Sequence, residues 1–325
     1  MPVVNTNREE TNPLLTRVEH NDECALNSPE RTHSDIAYLK SRKRCLRIGT
    51  WNVRTLYQVG KFDCLISEAK NMNLDILGVS ETRWTEASCL KRDDYIFIIS
   101  GGEHHERGVG MLMKRNLEKF ISGFWAHNDR IILIKIKARP FDIAIIQTYA
   151  PTTDYSDEHL EEYYEELQKT LKVVKPSEVL IVMGDLNAKV GKKKQKHIVG
   201  QFGMGSRNDR GHRLIQFCEE NQLIICNTFF QHPPRKLFTW KSPGDINRNQ
   251  IDYVMIRDRF KNNIKKAKTY PGADINSDHN PVVIKIQIKL KNTGIRTQRS
   301  PHIDISALKQ PEISQQYLVG VKKKI

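Results

Sequence analysis

The segment VLIVMGDLN, residues 179–187, joins an unbroken apolar run to a polar end. A short apolar run that stops at turn residues is typical of a buried β-strand. The polar end, Gly184-Asp185-Leu186-Asn187, has the composition of a turn. We therefore expect a buried strand that delivers a carboxylate and an amide to one edge of a sheet.

Similar strand-like segments lie on both sides of this one and share its apolar runs. They are LRIGTWNV (46–53), DILGVSE (75–81), YIFIIS (95–100), GVGMLM (108–113), RIILIKIKA (130–138), FDIAIIQTYAP (141–151), FTW (238–240), IDYVMI (251–256) and PVVIKIQIKL (281–290). Three amphipathic segments interrupt them, and their apolar residues recur every three or four positions. These are marked by Leu65, Ile66, Ala69 and Met72, by Leu160, Tyr163, Leu167, Leu171 and Val174, and by Leu214, Phe217 and Cys218.

This alternation predicts a mixed α/β fold with too many strands for a single βαβ unit. Two packed sheets flanked by helices, in one domain over residues 45–290, fit the pattern best. Residues 1–44 are polar, lack apolar periodicity and end in a basic run, which predicts a disordered basic leader. The composition of residues 291–325 predicts a polar, basic tail with a short helix near 306–317.

Charge and cysteine content narrow the class of protein. The 325 residues include 52 Lys and Arg against 38 Asp and Glu, a formal net charge of +14. Such a charge suits a nucleic-acid partner, although an anionic membrane surface or solubility alone would also explain it. No apolar run approaches the ~20 residues needed to cross a bilayer, so we expect a soluble protein that is not secreted. The six cysteines form no CxxC pair, which favours neither zinc nor disulfides and indicates a reduced compartment.

Polar residues that could carry chemistry follow the apolar runs. They are Asn52, Glu81, Tyr149, Asp185, Asn187, Asp278 and His279, together with Asp252 inside the run 251–256. Taken singly, most of them read as ordinary turn or solvated residues. Asp252 is different, because a carboxylate in a buried strand costs several kcal/mol unless it is paired. A histidine would be a natural partner for it.

As a set, these residues suit the hydrolysis of a phosphodiester. Glu81 and Asp278 offer the hard oxygen ligands that a divalent cation requires. Asp185 is the candidate that activates or orients water. Donors for the charge of the transition state would be Asn52, Tyr149, Asn187 and a protonated His279. Asp252 would orient His279 and raise its pKa.

Six motifs, in order, resemble one superfamily. TWN (50–52), SETRW (80–84), QTYAP (147–151), GDLN (184–187), NQIDYVMI (249–256) and SDHNPV (277–282) resemble the exonuclease–endonuclease–phosphatase superfamily. Within this superfamily, the motif sequences are similar to those of the apurinic-endonuclease-like domain of non-LTR retrotransposons of the RTE/BovB type. The tail is similar to the linker that leads into reverse transcriptase in such elements.

The resemblance implies a DNase I-like, four-layered α/β sandwich with a metal-centred cleft at the strand ends. Carried over by position, Glu81 is the principal Mg²⁺ ligand, and Asp278 completes the site with His279; Mn²⁺ is an alternative ion. Asp185 activates water, and Asn187 and Tyr149 bind the scissile phosphate. Asp252 supports His279, and Asn52 positions its neighbours. The product would be a nick with a 3′-hydroxyl, the primer end for target-primed reverse transcription.

One position departs from the apurinic endonucleases, where an accessory metal-contacting Asp stands two residues after the Trp-Asn pair. Arg54 stands there instead, which weakens the case for a repair enzyme and leaves the number of metal ions open. Residues expected to contact DNA are Arg54, Lys192, Lys193, Lys194, Arg207 and Asn208. For the lysine run, a solvated loop is the alternative interpretation.

The leading hypothesis from the sequence is a Mg²⁺-dependent endonuclease that acts on double-stranded DNA as a monomer in the nucleus, with the cytoplasm as a second location. Three alternatives remain open. The first is a sibling phosphodiesterase acting on sugar phosphates, inositol phosphates or sphingomyelin. The second is an abasic-site repair endonuclease. The third is a catalytically silent, host-adopted module that binds DNA or protein.

Overall fold

The structure is a computed structural model that describes residues 44–290. The predicted tail, and the predicted leader apart from Arg44, lie outside the described residues. The described residues include no helix long and apolar enough to span a membrane.

Strands account for most of the regular structure between residues 44 and 290. They are β1 (Arg44–Asn52), β2 (Ile76–Ser80), β3 (Ser88–Arg92), β4 (Tyr95–Ile99), β5 (Val109–Lys114), β6 (Ile121–Asn128), β7 (Ile131–Ile136), β8 (Ala138–Arg139), β9 (Ile143–Tyr149), β10 (Val179–Asp185), β11 (Leu223–Ile225), β12 (Trp240–Lys241), β13 (Arg248–Asn249), β14 (Asp252–Arg257), β15 (Ile264–Thr269) and β16 (Val282–Leu290). Three α-helices accompany them: α1 (Lys61–Asn71), α2 (Asp157–Lys172) and α3 (Asp209–Glu220). The three amphipathic segments of the sequence correspond to these helices.

The strands form two large mixed sheets and one small hairpin. The first sheet has the order β15-β16-β1-β2-β5-β4-β3, and the short β8 also pairs with β16. The second has the order β11-β14-β10-β9-β7-β6, and β12 and β13 pair separately. Strands β1 and β2 are parallel, as are β9 and β10, so each sheet has a parallel pair near its centre.

The two sheets pack face to face and helices cover their outer faces. The apolar layer between the sheets includes Ile48, Met111, Ile134, Ile181 and Ile284, all fully buried. On one outer face, α1 packs Leu65, Ile66 and Ala69 against the first sheet; on the other, α2 and α3 pack Leu160, Leu167 and Leu214 against the second. The result is four layers in the order helix, sheet, sheet, helix, so the predicted fold class is confirmed.

A buried polar connection joins the two sheets near the ends of their central strands. Gln147 of β9 accepts a hydrogen bond from Thr50 Oγ1 of β1 at 3.1 Å and donates to Ser80 Oγ of β2 at 2.9 Å. All three side chains are inaccessible to solvent. Because each buried polar group has a partner, the connection fixes the relative position of the strand ends that carry the candidate site.

Candidate active site

The strand register brings the predicted residues to one end of the sandwich. In the second sheet, Asp185 pairs with Tyr149 across the parallel β9–β10 pair and with Asp252 across the antiparallel β10–β14 pair. In the first sheet, Asn52 ends β1 opposite Ser80, directly before Glu81. Residues far apart in the chain therefore meet because their strands end together.

Asn52 connects the two sheets within the site. Its Nδ2 donates to Glu81 Oε1 at 2.8 Å and to Asp185 Oδ2 at 2.9 Å. Its Oδ1 accepts from the backbone N–H of Arg54 at 2.9 Å, and the side chain is almost fully buried. The amide thus holds two carboxylates close together with its orientation fixed, as its predicted positioning role requires.

His279 and Asp252 form the buried pair that the sequence predicts. Nδ1 of His279 lies 3.0 Å from Oδ2 of Asp252, and both side chains are buried. Burial alone lowers the pKa of His279, but the charges of Asp252 and Asp185 outweigh it and raise the pKa to about 9. The imidazole is therefore held as a cation at neutral pH, and its Nε2 lies 3.8 Å from Asp185 Oδ2.

Two contacts that the sequence analysis did not foresee hold the histidine loop against β1. The indole N–H of Trp51 donates to the backbone carbonyl of His279 at 2.9 Å. The hydroxyl of Ser277 donates to the carbonyl of Asn52 at 2.7 Å and accepts from the N–H of His279 at 3.1 Å. Both residues lie inside the TWN and SDHNPV motifs, but only the folded chain shows which partners they take.

Asp185 sits at the centre of the group. Besides Asn52, the backbone N–H of Asn187 donates to its Oδ1 at 3.1 Å. Burial is the main cause that raises the pKa of Asp185, and the charge of Asp252 adds to it, while His279 opposes it. The preceding Gly184 lies so close to the Thr148 carbonyl that any Cβ would overlap it, which explains a glycine here.

Tyr149 and Asn187 lie beside Asp185, and their binding of the phosphate stays a prediction. Burial and the charges of Glu81 and Asp185 raise the pKa of Tyr149, so the phenol stays protonated and able to donate. Arg130, itself buried, donates to the Tyr149 carbonyl at 3.1 Å, and its guanidinium carbon lies 5.2 Å from the ring centroid. Asn187 has a left-handed φ of 48° and donates to the carbonyl of Ala150 at 2.9 Å.

Each of the two predicted metal ligands faces an arginine. Glu81, at φ 57°, accepts on Oε2 from Arg83 at 3.1 Å. Asp278 accepts on Oδ2 from the indole of Trp240 at 3.0 Å, and its Oδ1 lies 3.8 Å from Nε of Arg54. Arg83 and Trp240 were not among the predicted site residues. Arg83 lies two positions from Glu81 in the same motif, whereas the contact of Trp240 with Asp278 joins segments 38 residues apart.

The donor set suits a hard divalent cation such as Mg²⁺. Among the described residues, carboxylate oxygens of Asp185 and Asp252 and a ring nitrogen of His279 all lie within 4.8 Å of one another; while His279 is protonated, the two carboxylates are the groups of this set that can bind a cation. The side-chain amide of Asn52 donates to both Glu81 and Asp185, so Glu81 lies next to this group. Oδ1 of Asp252 and Oδ1 of Asp278 are buried without a hydrogen-bond partner, and an unsatisfied buried carboxylate oxygen calls for a cation or a donor. The assignment of Glu81 and Asp278 as the metal ligands stays a prediction.

The residues predicted to contact DNA outside the cleft are arranged in one loop. Lys192, Lys193 and Lys194 are exposed. Arg207 donates from Nε to the carbonyl of Val190, from Nη2 to that of Lys193, and from Nη1 to the side chain of Gln195. Asn208 caps α3 through Gly211 N and also accepts from Lys189 N, both at 2.9 Å. Arg207 and Asn208 therefore shape the lysine loop, and their contact with DNA stays a prediction.

The fold and this group of side chains define the DNase I-like class of α/β sandwich. Residues 49–279 match the family described as the Endonuclease/Exonuclease/phosphatase family. The chain belongs to this family, whose members are nucleases and phosphatases, and the resemblance read from the six motifs is confirmed.

Relatives and solved structures agree with this assignment. The chain is 40% identical to craniofacial development protein 2 of Bos taurus and of Tragulus javanicus over 262 residues, which is 79% of this chain but 44% and 46% of those proteins. It therefore spans less than half of their length. It shares its fold with the AP endonuclease LMAP from Leishmania major (TM-score 0.60, 15% identity, 79% of this chain and 99% of that one). The endonuclease domain of TRAS1, a telomere-specific non-LTR retrotransposon, is similar too (TM-score 0.57, 16% identity, 76% and 100%).

Proposed function

We propose that the chain is a metal-dependent DNA endonuclease that hydrolyses a phosphodiester of double-stranded DNA and leaves a 3′-hydroxyl, as target-primed retrotransposition requires. One observation carries the proposal. A single buried amide, Asn52, joins Glu81 to Asp185, and Asp185 in turn lies beside a histidine that Asp252 keeps cationic. A carboxylate that would bind the metal ion and a positive donor thus lie on either side of Asp185, which supports the proposal.

Glu81 would be the principal ligand of Mg²⁺ or Mn²⁺, and Asp278 would complete the site. The bound cation supplies Lewis-acid stabilisation of the charge that develops on the phosphate. The protein groups do the remaining work. Asn52 keeps the carboxylates of Glu81 and Asp185 together, and the indole of Trp240 donates to Asp278.

Asp185 would orient the attacking water and accept its proton. Its raised pKa brings it closer to the working pH, which is the condition that favours a general base. The scissile phosphate would lie against the Nε2 face of His279, with Asn187 and Tyr149 as further donors. Preorganised donors of this kind stabilise the transition state more than the ground state.

DNA is the favoured substrate for two reasons. The formal charge of +14 and the exposed Lys192–Lys194 run suit a polyanion better than a small sugar phosphate or a lipid headgroup. The solved neighbours named above act on nucleic acid by their descriptions, an AP endonuclease and a retrotransposon endonuclease domain. A monomer acting in the nucleus belongs to the same proposal.

The test is nicking of supercoiled plasmid with Mg²⁺ or with EDTA. We expect Mg²⁺-dependent conversion to open circles that Glu81→Gln reduces by about two to four orders of magnitude. Glu103→Gln, which alters an exposed carboxylate, is the matched control and should nick as the parent does. Extension of the nick by a DNA polymerase without prior end repair reports the 3′-hydroxyl.

Other outcomes would assign the chain to one of the alternatives. Cleavage of an abasic duplex with no nicking of intact plasmid would favour an abasic-site repair endonuclease. Hydrolysis of a phosphoinositide or sphingomyelin in preference to DNA would favour a sibling phosphodiesterase. Tight DNA binding without turnover under any metal would favour the silent module, and any of these results would overturn the proposal.

A further inference from the structure

Two arginines enter the acidic site, one at each predicted metal ligand. Nη2 of Arg83 lies 3.1 Å from Glu81 Oε2, and Nε of Arg54 lies 3.8 Å from Asp278 Oδ1. These cations reach the group from different loops. Arg54 follows β1 and Arg83 follows β2, so each arginine lies just beyond the end of a central strand of the first sheet.

Both arginines are held in place by the backbone around them. The N–H of Arg54 donates to the same Asn52 side chain that joins Glu81 to Asp185, and the residue has φ 59°. The N–H of Arg83 donates to the Arg107 carbonyl at 2.7 Å, its carbonyl is 2.8 Å from Nδ1 of His105, and its φ is 58°. Left-handed φ values at non-glycine residues cost free energy, and they persist where surrounding contacts impose them. The fold therefore fixes where each arginine side chain starts, next to the carboxylate that it faces.

Each of the two predicted metal ligands already faces one positive charge. Arg83 pairs with Glu81 and Arg54 with Asp278, so these four side chains carry no net formal charge before a metal ion binds. One divalent cation would give the group two positive charges, which suits an anionic phosphodiester. A second divalent cation would give it four positive charges in a small, partly desolvated volume, where repulsion is strong.

We propose that Arg54 and Arg83 act as built-in counter-charges that limit this site to one divalent cation and weaken its affinity for that cation. Arg83 competes for an oxygen of Glu81, and Arg54 neutralises the free oxygen of Asp278. The inference rests on the proposed metal site, but it concerns ion binding and can be measured without DNA.

The experiment is titration of the full chain with Mn²⁺, followed by electron paramagnetic resonance of the free ion and by calorimetry. We expect one ion per parent chain. Arg54→Ala and Arg83→Ala should each tighten Mn²⁺ binding by about five-fold, since a neighbouring cation is removed. The double variant should bind still more tightly and accept a second, weaker ion.

Arg92→Ala is the matched control, because this exposed arginine pairs with Asp63 and its side chain is about as exposed as that of Arg54, at 57% against 60%. It should leave Mn²⁺ binding unchanged, and thermal melts verify that each variant is folded. Two ions of similar affinity on the parent would overturn the inference, as would no ion, or variants that bind like the control. A parent chain that binds one ion but nicks no DNA would contradict the proposed function and leave this inference standing.

Discussion

Nδ1 of His279 lies 3.0 Å from Oδ2 of Asp252, in a place that solvent does not reach. The two residues are separated by 26 intervening positions, and they pair because β14 begins beside the loop that precedes β16. Asp252 supplies the largest of the charges that raise the pKa of the imidazole against the effect of burial.

Asp252→Asn should therefore lower the pKa of His279 from about 9, since burial remains and the largest opposing charge is gone. Nitrogen–proton NMR of the imidazole ring over a pH titration measures this directly, with His279→Gln to assign the signal. A pKa that does not move in Asp252→Asn would show that another group keeps the ring charged.

The same pair makes stability depend on pH. Because the folded-state pKa of His279 is raised, its contribution is fully present below the unfolded value near 6.5 and is lost as pH rises through about 9. Asp252→Asn should thus destabilise the chain more at pH 6 than at pH 9.5. Urea unfolding of parent and variant at the two pH values checks this, and an equal loss at both would contradict it.

Asp185→Asn should separate catalysis from binding. The amide cannot accept a proton, so nicking should fall by about 10²–10⁴-fold. DNA affinity should stay the same or rise slightly, because phosphate contacts by basic residues dominate affinity and one negative charge is removed. Fluorescence anisotropy with a labelled duplex measures the affinity, and the exposed Asp154→Asn is the control. Loss of both properties in a folded variant would argue against a role limited to chemistry.

The lysine loop should carry part of the salt dependence of DNA binding. If Lys193 and Lys194 each neutralise one phosphate, replacing both with Ala lowers the slope of log affinity against log salt by about 1.8. The control is Lys265→Ala with Lys266→Ala on the edge strand β15, which removes the same charge elsewhere. Equal slopes for the two double variants would mean that the lysine loop is a solvated loop that does not contact DNA.

Gly78→Ala should destabilise the fold beneath the site. A Cβ at this position of β2 would overlap Oε1 of Gln147, the residue that joins the two sheets. Overpacking of this kind costs about 1–3 kcal/mol in the free energy of unfolding. Gly272→Ala is the control, since its added Cβ would meet no heavy atom within 4 Å. Urea denaturation compares them, and equal stability would mean that Gln147 moves aside at little cost.

The sequence alone predicts the central strands and all three helices, because these elements have long apolar runs or a clear helical period. It does not predict β3, β6, β11 or β15, and these four are the edge strands of the two sheets. β11 is only three residues long, and β3, β6 and β15 are partly exposed, so none of them has the long apolar run that identifies a buried central strand. β15, for example, reads IKKAKT.

The amino-acid sequence determined the residue types of the site and their order along the chain. It also determined that Asp252 needs a partner, because an unpaired carboxylate inside a buried strand is costly. Which side chains pair was decided only by the tertiary structure. Arg54 reaches Asp278, and Trp51 and Ser277 hold the His279 loop, because the end of β1 lies beside the segment before β16. Hydrogen bonds depend on distance and direction within a few tenths of an ångström, and those are properties of packed sheets that no linear spacing encodes.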